Sequence, residues 1–278
     1  MLKKVYFEIT NVCNLSCAFC HGTKRPPRFI TREEFLRGAT EIRKHTEYIY
    51  FHLMGEPLLH PLLKEFLEIA HSLGLKVIIT TNGTLLKERG DILLSAPALH
   101  KVSVSLHAYE ANQSTSDLDR LLDDCFEFCG AASDRGIISV MRLWNLGGQE
   151  KENGRILEKM KVFFPEPWTS VPKGERLKPK LFLEWGEKFD WPDEDAELVG
   201  EGHSCYGLRD QVGILSDGTV VPCCLDADGV IALGSIYEES LADILNKPRA
   251  CALRRSFENR NITEPLCLRC GFAAQRVK

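Results

Sequence analysis

The chain has 278 residues, of which 44% are hydrophobic and 27% charged, and its formal net charge is -4. These values are ordinary for a globular protein, and the length allows one large core with a small appendage. The sequence has no long basic run, no apolar stretch of membrane-spanning length and no signal-peptide core. We therefore expect no nucleic-acid or membrane partner and a cytoplasmic location, in which eleven cysteines stay reduced.

Short runs of strand-forming residues alternate with helix-type segments along the first part of the chain. The runs are Val5–Ile9, Tyr48–His52, Val77–Thr81, Val102–Leu106, Ile137–Leu143 and, more weakly, Leu181–Glu184. Helical periodicity predicts helices at Thr31–Lys44, Pro61–Leu73 and Asp117–Asp134. This alternation predicts an α/β fold with a parallel sheet covered by helices, in which chemistry belongs to the loops at the carboxyl ends of the strands.

The loop after the first run contains the segment Cys13-Asn-Leu-Ser-Cys17-Ala-Phe-Cys20. Three thiolates at this spacing can hold three corners of a cubane [4Fe–4S] cluster and leave the fourth iron without a protein ligand. An iron with an open coordination position can bind a substrate or cofactor and take part in its reaction, as catalytic metal ions generally do. The alternative is a zinc site completed by His21, although zinc ligands usually come in two separated pairs.

A strand followed by C-x3-C-x2-C, with an aromatic residue before the last cysteine, resembles the radical S-adenosylmethionine (SAM) superfamily. The resemblance implies a partial (β/α)6 TIM-type barrel and a [4Fe–4S] cluster at Cys13, Cys17 and Cys20 whose open iron binds SAM. It also implies reductive cleavage of SAM to a 5′-deoxyadenosyl radical, with a flavodoxin- or ferredoxin-type protein as electron donor.

Further segments match the SAM site of that family. Met54-Gly55-Glu56-Pro57 resembles the Gly-Gly-Glu-Pro motif, in which Gly55 would let the backbone approach the ligand and Glu56 would accept from the methionine ammonium group. The resemblance implies these other SAM contacts: Phe19, Asn82, Ser105, His107 and Arg142. Local alternatives stay open, because Asn82-Gly83 is also a turn signal and a strand arginine often pairs with a carboxylate.

The C-terminal part carries a second set of cysteines. The segment Val212–Val221, with a turn at Ser216-Asp217-Gly218, predicts a hairpin leading to Cys223, and a helix is predicted at Leu241–Phe257. This part is similar to the twitch domain, the shortened form of the SPASM extension, whose Gly-x4-Cys element it shares. The resemblance implies one auxiliary [4Fe–4S] cluster, with a structural zinc as the alternative, on these ligands: Cys205, Cys223, Cys267 and Cys270.

We therefore expect a barrel over residues 1–200, with a bridging segment at 147–200 that walls the substrate cavity, and a twitch-type domain of hairpin and helix over 201–278. The candidate contacts in the bridge, which are equally candidate loop anchors, are Trp168, Trp185 and Trp191. Cys224 should face away from Cys223, because neighbouring strand side chains alternate. It is a candidate hydrogen-atom donor, as in radical epimerases, or a small buried apolar residue. Asp226 is a candidate acid or base, or a turn residue.

Two classes of function follow. An enzyme would abstract hydrogen from an unactivated C–H bond of a peptide or small molecule, for oxidation, epimerisation or cross-linking, with the auxiliary cluster as electron acceptor. The alternative is a non-enzymatic iron–sulfur protein for electron transfer or redox sensing, against which the SAM-site matches count. Since no peptide-recognition segment precedes the first strand, we expect a small metabolite, or a peptide delivered by a separate protein.

Overall fold

The computed structural model describes residues 2–112, 117–199 and 205–275. Within these ranges, a single sheet of eleven strands has the order β11-β10-β9-β1-β2-β3-β4-β5-β8-β7-β6. The strands are β1 (Lys4–Phe7), β2 (Tyr48–Tyr50), β3 (Lys76–Thr81), β4 (Leu99–Ser105), β5 (Ile138–Leu146), β6 (Thr169–Val171), β7 (Gly174–Lys178), β8 (Leu181–Glu187), β9 (Gln211–Ile214), β10 (Thr219–Val221) and β11 (Gly234–Ser235). The helices are α1 (Arg32–Arg43), α2 (Leu63–Ser72), α3 (Leu86–Leu94), α4 (Leu118–Asp134), α5 (Asn153–Phe163), α6 (Leu241–Asn246), α7 (Pro248–Glu258) and α8 (Gly271–Ala274).

The central part of the sheet is parallel: β1 through β5 pair in chain order, and β8 adds in parallel beside β5. This confirms the predicted partial (β/α)6 TIM-type barrel. Its hydrophobic core lies between strands and helices, where the ring of Phe35 on α1 stacks on Phe7 of β1 and on Phe66 of α2, with centroid distances of 5.8 and 4.2 Å. Gly38 of α1 leaves the room for this contact, since a Cβ there would lie 2.5 Å from the Phe7 ring.

The inner face of the barrel carries many polar side chains beside a small apolar cluster. Because side chains alternate along each strand, the neighbours of the core residues point inwards. Strand register places Tyr6 of β1 beside Tyr50 of β2, and Ser105 of β4 beside Arg142 of β5. The carboxyl ends of β1 to β5 and of β8 meet at one edge of the sheet, and the cysteine loop after β1 lies there.

The bridging segment is more regular than the sequence indicates. It contains α5 and an antiparallel pair, β6 and β7, which extends the sheet beyond β8. Trp168 Nε1–H donates to the Phe164 carbonyl at 2.8 Å, and Trp185 packs against the core, so both act as anchors. No helix in the described ranges is both long and apolar enough to span a membrane.

The C-terminal hairpin is confirmed, with β9 and β10 as its strands. It is joined to the barrel, because β9 lies parallel to β1 over four residue pairs. The single helix predicted at Leu241–Phe257 is wrong. The chain forms α6 and α7 instead, because Pro248 cannot donate a helical hydrogen bond and Lys247 before it is extended, with ψ at 151°.

Candidate functional site

The cysteine loop presents three thiols at the carboxyl end of β1. Cys13 and Cys20 are exposed and Cys17 is half-buried. Burial of the Cys17 thiol raises its pKa to about 11. Each sulfur accepts a hydrogen bond: Cys13 from the Leu15 N–H at 3.5 Å, Cys17 from Asn112 Nδ2 at 2.9 Å and Cys20 from the Gly22 N–H at 3.4 Å. Donors to thiolate sulfur are a recurrent feature of iron–sulfur sites, so the loop suits a cluster.

The loop after β2 packs on the base of the cysteine loop. Gly55 has φ at +77°, and a Cβ there would lie 2.4 Å from the Thr10 carbonyl oxygen. The Glu56 N–H donates to the Val12 carbonyl at 2.8 Å. The close backbone approach that Gly55 permits is therefore to the chain just before Cys13, and its contact with SAM stays a prediction.

The Glu56 carboxylate is buried between two strand ends. Its Oε1 accepts the Leu58 N–H at 3.0 Å and its Oε2 accepts the Asn82 N–H at 2.8 Å. Burial raises the pKa of Glu56 to about 7. The Thr81 side chain also hydrogen-bonds to this carboxylate. A carboxylate has about four lone-pair sites, so about one remains for a ligand ammonium group. The Asn82 side chain in turn donates to Asn14 Oδ1 at 2.9 Å and lies 3.9 Å from Cys13 Sγ.

The end of β4 brings His107 to the cysteine loop. The His107 ring packs against Phe19 at a centroid distance of 4.8 Å, and its Nδ1 lies 3.1 Å from the Arg142 carbonyl oxygen. Burial lowers the pKa of His107 to about 4, so the ring is neutral near pH 7. The Phe19 carbonyl accepts Trp191 Nε1–H at 3.0 Å, which fastens the bridging segment to this loop.

Arg142 lies inside the barrel. Its Nη1 donates to Thr80 Oγ1 at 3.3 Å, its Nε lies 3.7 Å from Glu184 Oε2, and its guanidinium lies over the Trp144 ring at 4.4 Å. The carboxylate partner that the sequence left open is thus present in β8. Ser105 is next to Arg142 in the strand register. Contacts of Ser105 and Arg142 with SAM stay predictions.

The second cysteine set surrounds a cavity. Four thiols line it, and its other walls are mostly apolar, including Phe257 and Leu266. Within the described ranges, no three His, Cys, Asp or Glu side chains converge as a single metal ion requires. Thiols arranged around a space, with apolar walls, fit a cubane cluster. The four residues are Cys205, Cys223, Cys267 and Cys270.

Cys224 lies outside that cavity and packs against a small cluster inside the barrel. Its thiol is hydrogen-bonded to the Tyr6 hydroxyl, which also accepts a hydrogen bond from Lys4 Nζ at 3.0 Å. Cys223 and Cys224 therefore face different spaces, as predicted. The predicted reason is wrong, because both residues lie in the bend and turn that follow β10 and not on a strand, so strand alternation does not apply to them. A catalytic role for Cys224 stays a prediction.

Asp226 is buried in the turn that follows Cys224. Its Oδ1 accepts the Val230 N–H at 2.9 Å and its Oδ2 accepts the Ile231 N–H at 2.8 Å. Burial raises the pKa of Asp226. Because both oxygens are bound by backbone donors, the contacts are those of a turn residue, and its role as acid or base stays a prediction.

A buried ion pair that the sequence did not reveal joins the two cysteine regions. Glu8 is 0% exposed, and both of its oxygens accept from Arg25 Nη2, at 2.7 and 2.8 Å. Glu8 also accepts the Met54 and Ser216 N–H groups, each at 3.1 Å, and Arg25 Nε donates to the Ala227 carbonyl at 2.8 Å. The available signal was a lone glutamate inside the apolar first run, with an arginine just after the cysteine triplet.

A model of the radical SAM superfamily matches residues 7–160, which is more than half of the chain. The chain belongs to the radical SAM superfamily. A model of the SPASM domain, an iron–sulfur cluster-binding domain, matches residues 205–271. A radical SAM domain binds a [4Fe–4S] cluster together with SAM, and a SPASM domain binds one or more additional iron–sulfur clusters. The donor sets described above fit both groups.

Relatives of known name cover the chain to different extents. A probable GTP 3′,8-cyclase of Methanocella arvoryzae is 33% identical over 285 residues, which span 88% of this chain and 89% of that protein. The AdoMet-dependent heme synthase of Methanosarcina barkeri is 32% identical over 128 residues, which span 45% of this chain and 36% of that protein. The chain thus spans less than half the length of several curated relatives that it matches.

Two solved structures share the fold. BtrN in complex with AdoMet and 2-DOIA superposes with a TM-score of 0.62 at 16% identity, over 97% of this chain and 93% of BtrN. Streptococcus suis SuiB bound to the precursor peptide SuiA gives a TM-score of 0.60 at 15% identity, over 99% of this chain and 70% of SuiB. At these identities the likeness establishes the architecture alone.

Proposed function

We propose that this protein is a radical SAM enzyme that abstracts hydrogen from an unactivated C–H bond of a small molecule or peptide. Cys13, Cys17 and Cys20 would hold a cluster that, with SAM, would supply a 5′-deoxyadenosyl radical for hydrogen abstraction, the electron coming from a reduced donor protein. Cys205, Cys223, Cys267 and Cys270 would hold an auxiliary cluster that would supply an acceptor for the electron of the substrate radical, whose proton would pass to a base or to solvent. Epimerisation or cross-linking of the same substrate radical are the other outcomes.

One observation carries the proposal: three thiols stand on a loop, and four other thiols surround a separate cavity. The first set suits a cluster with an open iron, and the second suits a cluster without a substrate position. Under this proposal the first set is Cys13, Cys17 and Cys20. Family membership argues against the electron-carrier alternative, because a carrier has no need of a SAM site.

The surrounding residues would position SAM at the open iron. Glu56 would accept from its ammonium group, Asn82 would contact the ribose and Phe19 would lie near the adenine. Ser105, His107 and Arg142 complete the proposed site; these contacts rest on the motif matches and on the common location at the strand ends.

Cys224 supports epimerisation as a second outcome. Its thiol is inside the barrel, hydrogen-bonded to Tyr6. The Cys224 S–H would donate a hydrogen atom to the substrate carbon, and one electron and one proton would then restore the thiol. A flavodoxin- or ferredoxin-type donor would supply that electron. Asp226, at the rim of the four-thiol cavity, is the proposed acid or base.

The test is anaerobic reconstitution followed by measurement of iron content and of 5′-deoxyadenosine formed from SAM under reduction. Wild type should hold about eight irons, and replacement of either cysteine set by alanine should leave about four. Only the loss of Cys13, Cys17 and Cys20 should abolish 5′-deoxyadenosine. Cys251→Ala, outside both sets, serves as the control. SAM cleavage that survives in the triple variant would refute the proposal.

A further inference from the structure

A second cavity lies at the edge of the barrel opposite the cysteine loop, where the strands begin. Its volume is about 560 Å³, which is within the range of small-molecule sites. Lys4 and Tyr48, which line it, are the first residues of β1 and β2. Its lining includes Lys4, Tyr48, Tyr50, Lys101, Tyr206 and Gln211.

The cavity holds more positive than negative charge. The carboxylate in its wall, Asp210, already pairs with Lys3 at 3.2 Å and with Arg209 at 3.4 Å. The Lys101 side chain is half-buried, and none of the ion pairs found within the described ranges involves its ammonium group. Burial and then the nearby cation Arg142 lower the pKa of Lys101, whereas Glu184 is the carboxylate whose charge acts on Lys101 and raises its pKa. The cavity therefore offers the half-buried ammonium group of Lys101 to an anionic ligand.

Two buried donors without hydrogen bonds on the same inner face are a second indication of an anionic ligand. Ser103, two residues beyond Lys101 on β4, has a buried hydroxyl without a hydrogen-bond partner among the described residues. The buried Nε of Arg142 on the neighbouring strand also makes no hydrogen bond there, although the Glu184 carboxylate lies 3.7 Å away as its ion-pair partner. A buried polar group that lacks a hydrogen bond carries a free-energy cost. Acceptor oxygens of a ligand that reaches along this face would offset that cost.

The cavity also leads towards the thiol inside the barrel. Lys4 contacts the rings of Tyr6 and Tyr50, at 5.1 and 5.3 Å from their centroids, and donates to the Tyr6 hydroxyl. The Tyr6 and Tyr50 rings lie 4.7 Å apart. Because the Tyr6 hydroxyl is also bonded to Cys224, one side chain separates the basic cavity from that thiol.

We propose that this cavity binds the carboxylate or phosphate group of a small anionic substrate. Lys101 is the principal charge that selects it, and Lys4 lies beside it. Bound there, the rest of the substrate extends along the inner face of the barrel, with its reactive carbon towards Cys224. This assignment of a substrate class rests on the proposed function, and it makes Lys101 a specificity-determining residue.

The test is isothermal titration of the reconstituted protein at low ionic strength with two probes, inorganic pyrophosphate and citrate. Saturable binding of at least one probe is expected, and the probe that binds distinguishes a phosphate from a carboxylate group. Lys101→Met should weaken binding at least tenfold, whereas Lys101→Arg should retain it. Lys64→Met removes an exposed charge on α2 and is the matched control.

The proposal is overturned if neither anion binds saturably, or if Lys101→Met binds as tightly as Lys64→Met. Circular dichroism of each variant separates a lost site from a lost fold. Cleavage of SAM by the wild type, measured without any anion, reports on the proposed function alone. Active SAM cleavage without anion binding would refute only the substrate class, and anion binding without SAM cleavage would refute only the radical chemistry.

Discussion

Replacing Arg25 with methionine should strongly destabilise the protein, because it leaves the Glu8 carboxylate buried without its counter-charge. Arg25 supplies two of the four hydrogen bonds that Glu8 accepts, and the other two come from the Met54 and Ser216 backbone. Breaking a buried pair by removing one partner costs about 3–5 kcal/mol. Arg155→Met removes an exposed ion pair with Asp119 and should cost at most about 1 kcal/mol.

The origin of this cost can be isolated in a double variant. Glu8→Gln combined with Arg25→Met removes the buried charge together with its partner, so the unfolding free energy should be higher than in Arg25→Met alone. The assay is anaerobic urea unfolding of the reconstituted proteins followed by circular dichroism. An exposed ion pair contributes roughly 1 kcal/mol at most. If the unfolding free energies of Arg25→Met and Arg155→Met differ by less than that, the inference that the Glu8–Arg25 pair holds the cysteine loop to the C-terminal hairpin is refuted.

Three further results are expected. Burial raises the pKa of Glu56 to about 7, and an ammonium ligand requires the ionised carboxylate, so the affinity for SAM should rise about tenfold per pH unit from pH 5.5 towards 7. Glu56→Gln should abolish this pH dependence. A wild-type affinity that does not change with pH in binding titrations would contradict the proposed contact of Glu56 with the SAM ammonium group. Gly55 and Gly136 both have positive φ, but only at Gly55 would an added Cβ clash with the neighbouring backbone. Gly55→Ala should therefore lower the free energy of urea unfolding by about 1–3 kcal/mol more than Gly136→Ala. Equal losses would refute the close packing of Gly55 on the chain before Cys13. Tyr6→Phe removes the hydrogen bonds of the Tyr6 hydroxyl with Lys4 and Cys224 and should lower the free energy of urea unfolding by about 1–3 kcal/mol. An unchanged unfolding midpoint would argue against these two hydrogen bonds.

Local patterns predicted the features that depend on neighbours in sequence. The cysteine triplet has a fixed spacing on one loop, and the Ser216-Asp217-Gly218 turn specifies a hairpin by itself. These signals need no knowledge of the rest of the fold, so they could be read directly.

Long-range packing could not be read in the same way. The pairing of β9 with β1 joins residues about 200 positions apart and has no periodic signature. The same holds for Asn112, whose side chain reaches Cys17 from a loop after β4. The break between α6 and α7 was readable from Pro248, but the helical periodicity on both sides concealed it.

The open iron at the cysteine loop is the central claim, and electron paramagnetic resonance tests it most directly. In a protein whose Cys205, Cys223, Cys267 and Cys270 are replaced by alanine, one reduced cluster should remain, and its spectrum should change when SAM is added. A spectrum that SAM leaves unchanged, or no cluster signal at all, would contradict the assignment of Cys13, Cys17 and Cys20.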